Sequence, residues 1–306
     1  MTLKILFMGT PEFSVPILKA IHNAKHKILT VYTQPPKKKS RGQKMIESPV
    51  HKLSKELNIN VRHPENINLD EELNFIKHIA PDLVVVAAYG QIISEKILKA
   101  LNNNCINVHA SLLPKWRGAA PIQRSIMEMD EETGVTIMKV VSELDAGPYM
   151  LQEKIKIEDS ISHRELSKKL SELGAKLLIK SLDLFESGDA NFKDQDQRMI
   201  TYAKKIRKEE CKIKWNLPAK NLAAKINGLS PFPGAWFTHK KRRIKIIKAR
   251  EVELSGRVGE VLSDDLTIGC LKNSIKILSL QKEGKTIITA EQFLAGYSIK
   301  KGDLLN

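Results

Sequence analysis

Three polar residues in the middle of the chain have the types and spacing of a group-transfer site. Asn107 and His109 stand two apart in Cys105-Ile106-Asn107-Val108-His109. Alternation with Ile106 and Val108 puts both side chains on one face of a strand end. Asp145 follows in Ser142-Glu143-Leu144-Asp145-Ala146-Gly147-Pro148, a turn whose Gly and Pro hold the backbone and present a carboxylate to a neighbouring loop. An Asn is a neutral donor for an oxygen that gains negative charge. A His donates to the same oxygen or protonates a leaving nitrogen, and an Asp orients it. The structural alternatives are a satisfied core histidine and a simple Asx turn at Asp145.

The elements that must position these residues read as an open α/β sheet. Residues 3–8 form an apolar strand, and Gly9-Thr10-Pro11 then supplies a turn, a Thr N-cap and a Pro at the first helical position. The helix is expected over 11–23 and a second strand over 28–33. Only Gly9 stands where a dinucleotide fold carries G-x-G-x-x-G, so nicotinamide or flavin binding is not expected. Residues 82–88, Asp-Leu-Val-Val-Val-Ala-Ala, contain a continuous β-branched run, which means burial on both faces and a parallel central strand. A helix at 94–101 leads into the strand that ends at His109. Two adjacent carboxyl strand ends then bring Tyr89, Gly90 and Gln91 beside Asn107 and His109, in the crevice where such sheets bind ligands. Beyond His109 come the apolar turn Ser111-Leu112-Leu113-Pro114, a helix over 118–129, a strand over 134–140 and a long amphipathic helix over 162–187.

Residues 188–201 are polar and read as a linker. Short strands punctuated by Gly256, Gly259, Gly269 and Gly284 follow, the pattern of a small β-barrel. The expected fold is therefore a Rossmann-like open, mostly parallel α/β sheet over 1–189, a linker over 190–205, and a small OB-like β-barrel over 206–306.

Charge is unevenly spread. Of a net charge of +15, residues 201–250 carry +13, with 15 Lys/Arg against Glu209 and Glu210. A surplus confined to one region points to a docked polyanion, RNA or DNA, rather than to general solubility. Lys205, Arg207, Lys241, Arg242 and Arg243 are candidate contacts. Trp215, Phe232, Trp236 and Phe237 lie among these cations and suit a nucleic-acid platform or the core. A second basic stretch, the insertion at 34–49, holds Lys37, Lys38, Lys39, Arg41 and Lys44 against Glu47. It reads as an arm that orders on a phosphate backbone or as a solvated loop.

Cys105, Cys211 and Cys270 are odd in number and lack C-x-x-C spacing, which fits a reducing compartment and no zinc site. The eight His form no H-E-x-x-H pair, so no metal is expected. The apolar start lacks the features of a signal peptide, and no run has membrane length. A cytoplasmic protein without a membrane partner, monomeric by default, is expected.

The motifs Met8-Gly9-Thr10-Pro11-Glu12-Phe13, Thr33-Gln34-Pro35, Arg41-Gly42-Gln43-Lys44, the stretch from Asn107 to Ile122, Leu144-Asp145-Ala146-Gly147-Pro148, Thr201 to Ile206, and Ser230-Pro231-Phe232-Pro233-Gly234-Ala235-Trp236 occur in this order. In this set the chain resembles the methionyl-tRNA formyltransferases, within the wider 10-formyltetrahydrofolate-dependent transferases, over essentially its whole length. The resemblance implies Asn107, His109 and Asp145 as the catalytic trio and Ser111, Leu112, Leu113 and Pro114 as a folate-binding segment. It implies that the inserted loop reaches the acceptor end of initiator methionyl-tRNA, with Arg41 as main contact. It also implies formyl transfer from 10-formyltetrahydrofolate to the methionyl amine for translation initiation. A formyltransferase for a small-molecule amine, a formyltetrahydrofolate hydrolase using water, and a non-enzymatic RNA-binding protein are the other readings.

Overall fold

A computed structural model describes residues 2–39 and 44–305. The chain divides into two compact units, one of Met1–Gly118, Gly134–Ile155 and Ser167–Tyr202, the other of Ala119–Thr133, Lys156–Leu166 and Ala203–Asn306.

The elements run in the order β1 (Lys4–Gly9), α1 (Ser14–Asn23), β2 (Lys27–Tyr32), β3 (Lys37–Lys39), β4 (Lys44–Ile46), α2 (Pro49–Glu56), β5 (Val61–Arg62), α3 (Asp70–Ile79), β6 (Leu83–Ala87), α4 (Glu95–Ala100) and β7 (Cys105–His109). Next come α5 (Pro121–Met127), β8 (Glu132–Lys139), β9 (Tyr149–Lys156) and α6 (His163–Ser187). The sheet order is β5-β2-β1-β6-β7-β8-β9. Pairing is parallel from β5 through β7 and turns antiparallel between β7 and β8.

Every residue of β6 is buried. Val84 and Val86 pack with Leu6, Met8, Tyr32, Ile76 and Leu98, and by alternation Val85 and Ala87 face the other layer. Burying each large aliphatic side chain contributes about 1.5–3 kcal/mol, so this run can only be a central strand. It thereby fixes the site edge at the carboxyl ends of β6 and β7.

The elements that go beyond the sequence expectation include β5, α3 and β9. α3 carries Asp70, Glu71 and Glu72 in its first turn and Lys77 and His78 in its last, charges that complement the helix dipole. It is anchored by Glu72, which accepts the Tyr32 hydroxyl at 2.6 Å and two Arg62 N–H groups at 2.8 and 2.7 Å.

The start of α1 also differs. Thr10 does not cap it; the Thr10 hydroxyl donates to the Tyr89 carbonyl at 2.8 Å and accepts the Gln34 N–H at 3.2 Å. The helix begins at Ser14, whose hydroxyl donates to the Ala87 carbonyl at 2.6 Å. Thr10 and Ser14 therefore tie the end of β1 to the end of β6, and a tertiary bond has displaced the local cap. Gly9 permits this approach, since a Cβ there would lie 2.8 Å from Ser14 and 3.1 Å from the Ala87 carbonyl. Within the basic insertion β3 and β4 pair antiparallel from Lys37↔Ile46 to Lys39↔Lys44.

In the second unit follow α7 (Ala219–Gly228), β10 (Ala235–His239), β11 (Arg242–Val252), β12 (Val261–Ser263), β13 (Thr267–Gly269), β14 (Ser274–Lys282), β15 (Ile287–Thr289) and α8 (Ala290–Ala295). Among the described residues the strands form one antiparallel sheet, β10-β11-β14-β13-β12, with β15 on β14. Its core includes Trp215, Leu222, Ile226, Phe237, Ile246, Ile277 and Phe293. Along β10, Ala235, Phe237 and His239 are buried while Trp236 and Thr238 lie on the other face. α8 opens with a capping box between Thr289 and Gln292. No helix among the described residues is long and apolar enough to cross a membrane.

Candidate active site

Asn107 and His109 lie near the end of β7, opposite Met138 and Thr136 of β8. Both face the Asp145 carboxylate. Asn107 Nδ2 is 3.5 Å from Asp145 Oδ1, and His109 Nδ1 is 3.7 Å from Oδ2. The backbone N–H of Gly118 donates to Oδ2 at 2.8 Å and fixes the carboxylate. The side chains of His109 and Asp145 are only 6% and 14% exposed, so charge interactions here are weakly screened by water.

His109 Nε2 lies 3.0 Å from the Trp116 carbonyl. A carbonyl oxygen only accepts, so Nε2 bears a proton, and Nδ1 is the nitrogen that can take or give a further proton beside Asp145. The 3.5 Å Asn107 contact is at the outer limit for an N–H···O bond. The Asn107 amide thus retains donor capacity for a substrate oxygen.

Asp145 adopts a left-handed conformation with φ of +49°, which costs a non-glycine residue about 1–2 kcal/mol. The surroundings hold it there. Gln195 Nε2 donates to the carbonyls of Asp145 at 2.9 Å and Gly147 at 2.8 Å. Gln195 Oε1 in turn accepts from Arg117 Nε at 3.0 Å. Both residues are buried, Arg117 with 1% exposure. At Gly147 an added Cβ would stand 2.1 Å from the Lys139 carbonyl oxygen, so the turn passes too close for any side chain. The loop that carries Trp116 and Gly118 is fixed by Thr201, whose hydroxyl and carbonyl accept the N–H groups of Trp116 and Arg117, each at 2.9 Å.

Gln195 and Arg117 were not among the sequence candidates. Gln195 sits in the stretch that reads as a linker, and no local signal marks it. Arg117 shares its stretch with Lys115, and the sequence does not tell which of the two cations is buried and hydrogen-bonded.

The residues expected to touch folate separate into scaffold and surface. The Ser111 hydroxyl donates to the Lys115 carbonyl at 2.6 Å, and Leu113 is buried with its N–H on Thr136 Oγ1 at 3.1 Å. Gln152 Nε2 donates to the Leu113 carbonyl at 2.7 Å. Ser111 and Leu113 therefore shape the turn, while half-buried Leu112 and Pro114 offer apolar surface. On the β6 side Tyr89 is buried, its hydroxyl has no hydrogen-bond partner, and burial pushes the phenol well above its ordinary range. The Gln91 side chain accepts from Ile67 N–H at 2.7 Å and donates to the Pro64 carbonyl at 3.0 Å, so it is committed to its own loops. Gly90, with φ of +89°, leaves backbone open.

Gln34, also outside the sequence candidates, has a buried and unpartnered Nε2 that lies 3.6 Å from the position of a Cβ on Gly90. An unpaired amide donor beside bare glycine backbone fits a flat heterocycle with hydrogen-bond acceptors. Among the described residues no cluster of three or more His, Cys, Asp or Glu has the arrangement to hold a metal ion.

Of the basic candidates, Arg41 lies outside the described residues, and Lys38, Lys39 and Lys44 are placed on β3 and β4 by backbone alone. Lys37 is exposed. In the second unit Lys205, Arg207, Lys241, Arg242 and Arg243 are all exposed. Lys240 and Lys241 form the two-residue turn between β10 and β11 with φ of +46° and +62°, positions that favour Asn or Gly. The turn thus presents lysines where conformational preference alone would select other residues.

Two family descriptions match the chain, formyl transferase over residues 3–182 and formyl transferase C-terminal domain over residues 205–298. A methionyl-tRNA formyltransferase of Pelagibacter ubique is 47% identical over 304 residues, spanning 99% of this chain and 98% of that protein. Among solved structures, HypX from Aquifex aeolicus in complex with tetrahydrofolic acid superposes with a TM-score of 0.70 at 18% identity, covering 100% of this chain and 51% of that one. The sugar 3N-formyl transferase WlaRD superposes with a TM-score of 0.69 at 19% identity, covering 94% of this chain and 100% of that one. The overlaid fold is thus shared with a protein that acts on a sugar.

Proposed function

The chain belongs to the formyl transferase family, and from that premise we propose that Asn107, His109 and Asp145 move a formyl group from 10-formyltetrahydrofolate to the α-amino group of methionine on initiator methionyl-tRNA. The observation that carries this reading is the meeting of Asn107 and His109 at one carboxylate, held by Gly118 N–H at 2.8 Å. Near-full-length identity of 47% to a methionyl-tRNA formyltransferase supports the choice of acceptor, as does the +13 surplus over residues 201–250.

10-Formyltetrahydrofolate supplies the formyl carbon as the electrophile. The Asn107 amide donates to the formyl oxygen as negative charge grows there, a stabilisation of about 3 kcal/mol for one preorganised donor. Amines of this type have pKa values near ~8, so part of the acceptor arrives protonated, and the Asp145 carboxylate, directly or through a water, receives that proton. As the new C–N bond forms, the attacking nitrogen gives a second proton to His109 Nδ1, which passes it to the departing folate nitrogen as the old C–N bond breaks; the Nε2–H bond to the Trp116 carbonyl keeps the ring oriented. Leu112 and Pro114 line the folate, and Gln34 with the Gly90 backbone holds the heterocycle. Residues 1–189 bind folate and carry the chemistry, residues 206–306 bind tRNA, and the basic insertion at 34–49, with Arg41, reaches the acceptor end. The protein works as a monomer in the cytoplasm.

A small-amine formyltransferase has the same fold and the same need for the trio, so acceptor choice is the decisive test. Purified protein with 10-formyltetrahydrofolate is given charged initiator tRNA, an amino sugar nucleotide, or no acceptor. The reading requires transfer to tRNA at a kcat/KM at least ~10⁴ M⁻¹s⁻¹, within the ordinary range for enzymes, and negligible rates otherwise. Preferential formylation of the amino sugar, or donor hydrolysis without acceptor at a comparable rate, would overturn it.

A further inference from the structure

The second unit contains a groove of about 490 Å³ between the residues before β10, the strands β10 and β11, and the end of β14. Its lining includes Arg243, a candidate nucleic-acid contact, and the formyl-transfer step does not use it. Phe232 stands at its edge with 76% of its surface exposed, so core packing does not account for this ring. The turn that carries it is stiff: Pro231 and Pro233 flank the ring, the Ser230 N–H bonds the Asn227 carbonyl at 3.1 Å, and the Gly234 N–H bonds the Leu229 carbonyl at 2.9 Å. A single exposed ring is ordinary on a protein surface; what marks Phe232 is its place in a groove that it shares with Trp236 and several cations.

Cations surround it. Lys245 Nζ lies 5.6 Å from the Phe232 centroid, and the Arg243 guanidinium stacks over Trp236 at 4.2 Å. Lys208 adds a further positive charge, and Glu283 is the lone carboxylate among the lining residues. Lys282 also lines the groove, but its Nζ is engaged over Phe293 and Tyr297 at 5.0 and 4.9 Å. Trp236 contributes a buried indole N–H that has no acceptor. Burial, followed by the adjacent Arg243 charge, lowers the Lys245 ammonium below its ordinary value; a bound anion would relieve the second of these.

We propose that this groove holds one unpaired nucleotide of the RNA acceptor, its base stacked on Phe232 and its phosphate between Lys245 and Arg243. The proposal rests on the acceptor being a tRNA. A flat π-face together with adjacent fixed cations is what single-stranded nucleic acid requires, and stacking tolerates any base. An acidic peptide would satisfy the cations and leave the Phe232 ring in water, so it fits only half of the groove.

The test compares wild type, Phe232→Ala, Phe232→Trp and Lys245→Gln in two assays: KM for charged initiator tRNA at two salt concentrations, and affinity for a fluorescent single-stranded hexaribonucleotide. Phe232→Ala should raise KM and weaken hexamer binding roughly tenfold or more, and Phe232→Trp should keep both near wild type. Lys245→Gln should lower the salt slope of binding by about one. Affinity for 10-formyltetrahydrofolate should not change in any variant. Equal hexamer affinity of wild type and Phe232→Ala, or a Phe232→Trp protein as weak as Phe232→Ala, would overturn the inference. A wild type that binds the hexamer through Phe232 but leaves tRNA unformylated would instead overturn the acceptor reading.

Discussion

The side-chain amide of Gln195 donates to the Asp145 carbonyl at 2.9 Å, across fifty positions of sequence. The same amide reaches Gly147, and its oxygen is held by buried Arg117. Gln195 thus holds the backbone of the turn that carries the Asp145 carboxylate, while Gly118 N–H holds the carboxylate itself.

Gln195→Leu keeps bulk and removes both donors. It leaves two buried carbonyls and the Arg117 Nε–H unpaired, at about 1–3 kcal/mol per group, so Tm should fall by several degrees. The sharper readout is kinetic: misplacing a catalytic group by about 1 Å can cost roughly 100-fold, so kcat should drop at least tenfold at unchanged donor affinity. A variant with lowered Tm but wild-type kcat would make Gln195 a stability residue only.

Gly134 lies beneath Leu112. A Cβ there would meet the Glu153 carbonyl oxygen at 2.2 Å and Leu112 Cδ2 at 2.6 Å. Gly134→Ala must displace backbone, and overpacking of this kind costs about 1–3 kcal/mol or more. Because Leu112 is displaced too, KM for 10-formyltetrahydrofolate should rise while KM for tRNA holds. Steady-state kinetics with each substrate varied will separate the two.

Arg41 and Lys44 belong to the basic insertion at 34–49 and not to the trio. Replacing both with Ala should cut tRNA-dependent kcat/KM by about tenfold or more and weaken its dependence on salt, since each lost phosphate contact lowers the salt slope by about one. Folate affinity, read by fluorescence titration, should stay within about twofold. An equal loss in both would count against the role given to the insertion.

His163 opens α6, and burial, aided by the neighbouring Arg164 charge, lowers its pKa from 6.5 to about 4. Between those values the unfolded chain takes up a proton that the folded protein refuses, so the stability is fully present above pH 6.5 and is lost as pH falls toward 4. Urea unfolding at pH 7 and pH 4.5 should therefore show a smaller loss for His163→Gln than for wild type. Identical losses would contradict the shift.

The core of the first sheet was readable because burial on both faces left β6 only apolar residues, Leu83 to Ala87. Asn107 and His109 were readable for the opposite reason, as polar residues that a buried strand end does not need. α3 was legible but not read: Asp70, Glu71, Glu72, Lys77 and His78 carry its dipole signature, and Leu73, Ile76 and Ile79 stand at helical spacing. Thr10 misled: a cap-like Thr before a Pro is bonded instead to Tyr89 across the sheet. Gln195 could not have been found, since its partners Arg117, Asp145 and Gly147 are brought to it only by tertiary structure. Polar residues in a stretch that reads as a linker look the same whether they face water or clamp a turn.

The trio itself is tested most directly by single-turnover formyl transfer to charged initiator tRNA with enzyme in excess. Asn107→Ala should slow the transfer step about 10²–10³-fold and Asp145→Asn by a comparable factor, with affinities for 10-formyltetrahydrofolate and tRNA within about threefold of wild type. Transfer at near wild-type rate in either variant, or loss explained wholly by weaker binding, would contradict the assignment.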